Sequence, residues 1–295
     1  MKKRSIIVLV LVFGALFLGL FIFLGVLIAV FSPDDVGVGE PSVGVVEVDG
    51  AIMESEKILE DLERFEEDSQ IKGVVVRVNS PGGAVAPAQE IYYGVQRLAE
   101  EKPVVISMGT TAASGGYYIA CGAETIFANR GTITGSIGVI TQFFNVEELI
   151  DQINVEVHTV TSGDFKDSGS PFKEFDEQDR AYFEGMVFDI HDQFVEDVAE
   201  CRQMEVEAVN EVADGRVFTG RQALDHGLID ELGSLHDAIE YIAQEVELDD
   251  PPIVYPPEER MGFLAELLQV AVRSSTTELR KQTTPRVKYE YTGPQ

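Results

Sequence analysis

Every residue from Ile6 to Phe31 is apolar or glycine, with no charge anywhere between. Such a stretch does not stay in water. As a helix rising about 1.5 Å per residue it is about 39 Å long, enough to cross a hydrocarbon core of about 30 Å with some tilt. The run therefore reads as a transmembrane helix, residues 6–31, behind a short cytoplasmic tip, residues 1–5. A cleavable signal peptide is the alternative, but its apolar region is about 7–15 residues long and ends at an A-x-A-like site. Here Ser32-Pro33-Asp34-Asp35 follows. Lys2, Lys3 and Arg4 precede the span and Asp34 and Asp35 follow it, so the positive-inside bias keeps the N-terminus in the cytoplasm. The expected molecule crosses the cell membrane once, with the remaining ~260 residues outside.

That outer part is long enough for one large or two small α/β domains. Its charge is extreme: 51 acidic against 22 basic residues give a net charge of −29. A surface of this sign repels nucleic acid, so none is expected as a partner. The acidic residues recur in short clusters, such as Glu66-Glu67-Asp68 and Asp249-Asp250, as on a solvated surface. Adaptation to high salt, where such self-repulsion is screened, is one reading, and an ordinary acidic exported protein is the other. Cys121 and Cys201 are too few for a disulfide framework or a metal cluster. Whether they form one bridge is left open.

Residues 32–42, rich in Pro and Gly, read as a linker. A compact domain is expected over 43–249. Strands are expected at 43–49, 73–79, 104–108, 125–128 and 155–160. Helices are expected at 56–65, 86–100, 117–121, 176–202 and 233–246. Short strands alternating with helices imply βαβ units and a largely parallel sheet, hence an α/β fold. Pro251, Pro252, Pro256 and Pro257 end the domain. The rest of 250–295 reads as a short amphipathic helix at 261–272 and a mobile polar tail.

In a parallel sheet, reactive groups gather at the carboxyl ends of the strands. Two glycine-rich turns fall there. Asn79-Ser80-Pro81-Gly82-Gly83 either bares backbone amides to an anion or is a tight turn with nothing bound. Ala112-Ala113-Ser114-Gly115-Gly116 sets a hydroxyl among small residues at a strand-to-helix junction. There Ser114 is either an exposed nucleophile, with the Gly115 amide facing a developing oxyanion, or merely a helix cap. A serine nucleophile needs a base. Among the four histidines only His158, near an expected strand end, is a credible one. Of the lysines after the span, Lys166 stands apart, within the loop Thr161–Pro171 of small and polar residues. It is either a buried base with a lowered pKa or a solvated lysine paired with Asp164 or Asp167.

The order of motifs adds to this reading. Asn-Ser-Pro-Gly-Gly at 79–83 is followed by Met-Gly-Thr-Thr-Ala-Ala-Ser-Gly-Gly-Tyr-Tyr at 108–118 and Thr-Gly-Ser-Ile-Gly-Val at 134–139. Gly-Asp-Phe-Lys-Asp-Ser-Gly-Ser-Pro at 163–171 and Arg-Gln-Ala-Leu-Asp-His-Gly-Leu-Ile-Asp at 221–230 complete the series. Over roughly 43–245 the chain resembles signal peptide peptidase A in its short, single-repeat form. The resemblance implies a crotonase-like, Clp-protease-like fold and a serine peptidase domain at 43–249. It implies Ser114 as nucleophile, Lys166 as general base and Ser136 as the serine that holds the lysine. Gly83 and Gly115 would supply the oxyanion-hole amides, and no metal or organic cofactor is needed. It further implies ring-shaped homo-oligomers, in which a site can take its lysine from a neighbouring subunit.

The expected activity is a membrane-anchored serine endopeptidase that cleaves apolar peptides, such as remnant signal peptides, beside the lipid bilayer. Two other classes compete with it: a crotonase-fold enzyme acting on acyl thioesters, and a non-catalytic membrane scaffold that binds peptides. Neither needs an activated Ser114.

Overall fold

The computed structural model describes residues 14, 17–20, 40–257 and 288–290. The chain divides into two compact units, Met1–Glu40 and Pro41–Gln295. In the first, residues 14 and 17–20 are helical and exposed. Most of the apolar run 6–31 lies outside the described residues, as does the helix expected at 261–272. No helix among the described residues is long and apolar enough to cross a membrane.

The second unit begins with β1 (Ser42–Asp49), α1 (Glu56–Glu67), β2 (Ile71–Ser80), β3 (Gly82–Ala84), α2 (Val85–Glu101), β4 (Val104–Ala113) and α3 (Gly115–Ala120). It continues through β5 (Thr125–Ala128), β6 (Ile133–Gly135), α4 (Glu147–Gln152), α5 (Glu177–Arg202), α6 (Val206–Asn210), β7 (Val217–Thr219) and α7 (Gly220–Asp225). The last elements are β8 (Glu231–Leu232), α8 (Leu235–Glu245), β9 (Ile253–Val254) and β10 (Lys288–Glu290).

The long strands are runs of valine and isoleucine because both faces of the sheet are covered. On one face Val46, Val48, Val74, Val76, Val78, Ile106 and Met108 pack with Phe65 of α1, Tyr92 of α2, Tyr118 of α3 and Phe194 of α5. On the other, Val43, Val45, Val75 and Val105 pack with Ala238, Ile242 and Ala243 of α8. Alternate residues of one strand thus feed two cores, as the pleat requires. Gly44 permits the close seat of α1, since a Cβ there would stand 2.6 Å from the Phe65 ring.

The main sheet runs β9-β1-β2-β4 and then forks. The first half of β4 pairs with β5, through Val105–Met108, and β5 pairs with β8. The second half, Thr111–Ala113, pairs with β6, and β6 with β7. All of these pairings are parallel except β6 with β7. The expected α/β class and largely parallel sheet are therefore met.

Three departures matter. The alternating segment Val155–Val160 is not a strand: it runs without regular structure, with Val160 98% exposed. Alternation alone cannot form a strand when no neighbour takes up its backbone groups. Past Pro252, β9 adds to the edge of β1, anchored by the Val43 amide donating to the Pro252 carbonyl at 3.0 Å. Within the polar tail, β10 pairs antiparallel with β3.

Candidate active site

The fork of β4 decides where Ser114 sits. Between Val78↔Met108 and Ser80↔Ala112 the register of β2 and β4 slips, so β4 carries extra residues there. Asn79 fills the gap. Its Oδ1 accepts from the Thr110 amide at 3.0 Å and the Thr111 amide at 3.4 Å, and its Nδ2 donates to Asp49 at 2.8 Å. The strand then reaches Ser114, whose amide donates to the Gly135 carbonyl at 2.8 Å. Ser114 turns sharply, at φ 54° and ψ −118°, and α3 starts at the next residue. That is a left-handed φ on a residue with a side chain, of the kind that persists only when its surroundings hold it.

The Ser114 side chain does not cap α3. It is 1% exposed, and its Oγ has no hydrogen-bond partner among the described residues. An unpaired buried hydroxyl costs about 1–3 kcal/mol, and such groups in folded proteins call for a functional reason. The helix-cap alternative therefore fails at this position.

Two amides lie beside it. A Cβ built on Gly115 would come within 3.3 Å of the Gly83 amide nitrogen and the Gly82 Cα, so the two glycine turns meet at the head of α3. Gly83 is pressed on Ile52, where a Cβ would fall 1.9 Å from the carbonyl oxygen. The Ile52 amide donates to Gly82 at 3.0 Å and the Ala84 amide to Ile52 at 2.7 Å, locking this backbone. Of the two readings of Asn79–Gly83, neither an anion loop nor a plain turn describes it fully, because Gly82–Ala84 is a short strand.

Ser136 follows Gly135, the residue that accepts the Ser114 amide. It is buried, also with a left-handed φ of 52°, and its amide donates to Arg216 at 2.8 Å. A cavity of about 400 Å³ opens there, lined by Ser136, Val139, Ile140, Val187, Phe188 and His191. A second, of about 440 Å³ and walled by Phe143, Phe175 and Phe183, shares Val139, Ile140, Val187 and Phe188 with it but does not reach Ser136. Asp214, on the rim of the first, has its carboxyl lowered to about 2 by hydrogen bonds from the Arg216 guanidinium.

Ser114, Ser136, Gly83 and Gly115 are thus brought together. Lys166 is not. It is exposed in a turn-rich loop, its amide donating to Gly163 at 3.1 Å, and its side chain makes no hydrogen bond or ion pair among the described residues. Asp167, one of the partners considered for it, pairs instead with Lys173 at 3.5 Å. His158 has a side chain 84% exposed and faces only Glu156, at 3.4 Å, so it is no base for a buried hydroxyl. His191 bonds the Ala213 carbonyl at 2.8 Å.

Sequence reasoning missed Asn79, whose polar side chain gave no sign that it fills a register gap. It also missed the struts behind α3. Tyr117 donates to the Leu228 carbonyl at 2.9 Å, and Tyr118 donates to Asp197, whose carboxyl is pushed up by burial. Cys121 and Cys201 are both free, and burial pushes the Cys121 thiol up.

A buried serine on a strained strand-to-helix turn, with two glycine turns meeting beside it, is the arrangement expected of a serine nucleophile. Comparison with known proteins narrows the class. The model of Peptidase family S49 matches residues 96–249, and the chain belongs to that family of serine peptidases. It is 43% identical over 206 residues to a Synechocystis protein named as a candidate protease, covering 69% of this chain and 74% of that one. It is 36% identical over 214 residues to an Enterococcus faecium protein named as a candidate signal peptide peptidase SppA, covering 72% and 62%. To the chloroplastic serine protease SPPA of Arabidopsis thaliana it is 34% identical over 206 residues, 70% of this chain but 30% of the plant protein.

Proposed function

We propose that this chain is a membrane-anchored serine endopeptidase that cleaves apolar peptides, remnant signal peptides among them, by acyl transfer on Ser114 with Lys166 as base. The observation that carries this reading is the Ser114 hydroxyl, buried, unpaired and held on a strained turn against the amides of Gly83 and Gly115. Neutral Lys166 takes the Ser114 proton as Oγ bonds to the peptide carbonyl carbon. The two amides donate to the oxyanion. Collapse breaks the C–N bond, and the proton passes from the lysine to the departing amine. Water then attacks the acyl-enzyme with Lys166 again as base, releasing the acid and restoring Ser114. Ser136 holds the amine in place.

An apolar, extended substrate fits the surroundings. Val139, Ile140, Val187 and Phe188 line the cavity beside Ser136, and β10 already lies along β3 as an added antiparallel strand. A peptide can dock in the same way. The run 6–31 confines the site to the outer face of the membrane, next to apolar peptides left in the bilayer.

The exposed position of Lys166 supports a site completed by a second copy in a ring. Phe144, Leu149, Ile153 and Val160, on the same excursion from the sheet, are well exposed and gain from being covered. Two experiments test the proposal. A fluorophosphonate probe should label Ser114 in the intact protein, Lys166→Ala should abolish both labelling and peptide cleavage, and His158→Ala should keep both. Full activity in Lys166→Ala would end the dyad reading. Co-refolding Ser114→Ala with Lys166→Ala should recover roughly a quarter of the sites, since each interface needs both donors intact. No recovery in rings shown to be mixed would mean that the dyad lies within one chain.

A further inference from the structure

The first turn of α5 contains a buried charge. Asp176 caps the helix, accepting the Asp179 amide at 2.8 Å, and Asp179 itself is only 2% exposed. A carboxylate so far from water needs partners. Lys173 supplies the main one, its Nζ 3.1 Å from one carboxylate oxygen of Asp179 and 3.4 Å from the other. The same ammonium reaches Asp167 at 3.5 Å. Burial works against the ionised form of Asp179, but the nearby Ser168 hydroxyl and the Lys173 ammonium overcome it and hold the carboxyl below its ordinary value.

These contacts pin one side of the loop that bears Lys166. Asp167 is tied through Lys173, and Ser168 lies against Asp179. Gly169, at φ +70°, sits flat on the Phe143 ring, where a Cβ would approach to 2.5 Å. The Ser170 amide returns to the Asp167 carbonyl at 3.0 Å, and the Pro171 carbonyl accepts the Val146 amide at 2.7 Å. Up to Lys166 the loop is exposed and touches α5 through the Phe165 ring, 5.2 Å from that of Tyr182 between centroids; from Asp167 on it is fastened.

We infer that Lys173 and Asp179 are positioning residues that clamp the base-bearing loop to α5, so that Lys166 is presented from a fixed point rather than a drifting one. The inference rests on the reading of Lys166 as base. A general base acts only within about 2.6–3.2 Å of the proton it takes, and a misplacement of about 1 Å can cost about 100-fold in rate. Exposure denies Lys166 the usual fixing by packing. The ammonium of Lys173, shared between a carboxylate beside Lys166 and one at the helix start, supplies that fixing instead.

The test compares full-length Asp179→Asn, Lys173→Met, Lys173→Arg and Lys166→Ala on a fluorogenic apolar peptide, with rates normalised to folded protein by circular dichroism. Asp179→Asn and Lys173→Met should each lower kcat about 10- to 100-fold with KM nearly unchanged, because only the base is displaced. Lys173→Arg keeps the charge and the reach and should recover most of the rate. A merely structural role would lower the melting temperature while leaving kcat per folded molecule intact. Wild-type kcat in Lys173→Met or Asp179→Asn, beside an inactive Lys166→Ala, would overturn the clamp and leave the dyad standing. An active Lys166→Ala would overturn the dyad itself. Should Asp179→Asn fail to fold, the Lys173→Met and Lys173→Arg pair decides, and a rate not restored by arginine counts against the clamp.

Discussion

Gly83→Ala tests the proposed oxyanion hole apart from the rest of the site. The added Cβ would stand 1.9 Å from the Ile52 carbonyl oxygen and 2.6 Å from the Ile52 amide nitrogen, distances that real Cβ atoms essentially never show. No side-chain rotation relieves a clash between backbone atoms. The Gly82–Ala84 segment must move by more than about 1 Å, enough to spoil a catalytic geometry. The two bonds that fix it, Ile52 amide to Gly82 carbonyl and Ala84 amide to Ile52 carbonyl, cannot both survive. The Gly83 amide is then no longer aimed at the oxyanion beside Gly115. Loss of one such donor costs about 100- to 1,000-fold in kcat, about 2.7–4 kcal/mol of transition-state stabilisation.

The assay is steady-state cleavage of a fluorogenic apolar peptide, with kcat and KM separated, alongside a thermal melt. Gly227→Ala is the control. Gly227 also has a positive φ, +73°, but a Cβ there meets only the Met204 sulfur at 3.9 Å. It should lose about 1–2 kcal/mol of stability from left-handed strain and keep its kcat. A folded Gly83→Ala enzyme with wild-type kcat would refute the assignment of that amide. So would equal kcat losses in the two variants, which would point to general destabilisation.

Two further outcomes follow from charge. With a net charge of −29, lowering the salt from 1 M to 0.01 M lengthens screening from about 3 Å to about 30 Å, so the melting temperature should fall; a melt insensitive to salt would contradict this. Asp179 and Asp214 both have carboxyls held below the ordinary value of 3.8, so the stability they give is complete above that value and is lost as pH falls through their folded values, about 2 for Asp214. Asp197, raised by burial, works in the opposite sense. Urea unfolding between about pH 5 and pH 2 should therefore show declining stability, with a shallower decline in Asp179→Asn; identical slopes would exclude Asp179 as a source.

The parts of the fold that were legible in the sequence are those whose signal is local. Val74-Val75-Val76 read as a doubly covered strand because both faces are apolar, and α5 read as a helix over nearly its whole length from its spaced apolar residues. The same logic misread Val155–Val160, where alternation is present but no neighbouring strand is. β10 was invisible because a Lys-Tyr-Glu triplet carries no period; its pairing with β3 joins residues about 200 positions apart, a separation no local pattern records. At the site, the glycine turn marked Ser114 as either nucleophile or cap, and only its unpaired Oγ separates the two. The neighbourhood of Ser136 depends on a β4–β6 pairing across the fork. Asp179 looked like one more acid at the start of an acidic helix, and its burial comes from the loop folded over it.

The two halves of the proposed dyad differ in how they are held, and the difference follows from what each must do. A nucleophile has to be aimed, so Ser114 rides on the end of a central strand, where Gly135, Asn79 and the struts behind α3 hold a left-handed turn that costs about 1–3 kcal/mol. Leaving its hydroxyl unpaired adds about 1–3 kcal/mol more. Only a rigid, doubly packed sheet can hold such a residue, because a loose element would relax and pair the hydroxyl locally. A lysine base needs water excluded in the working site as well, because burial is what favours its neutral amine. Within one chain Lys166 sits on an exposed loop, fastened by the Lys173 charge, by hydrogen bonds and by the seats of Gly169 on Phe143 and Phe165 on Tyr182. Strain and burial are therefore concentrated on the serine, while the side that supplies the base keeps the exposure through which a second copy or a substrate can close the site.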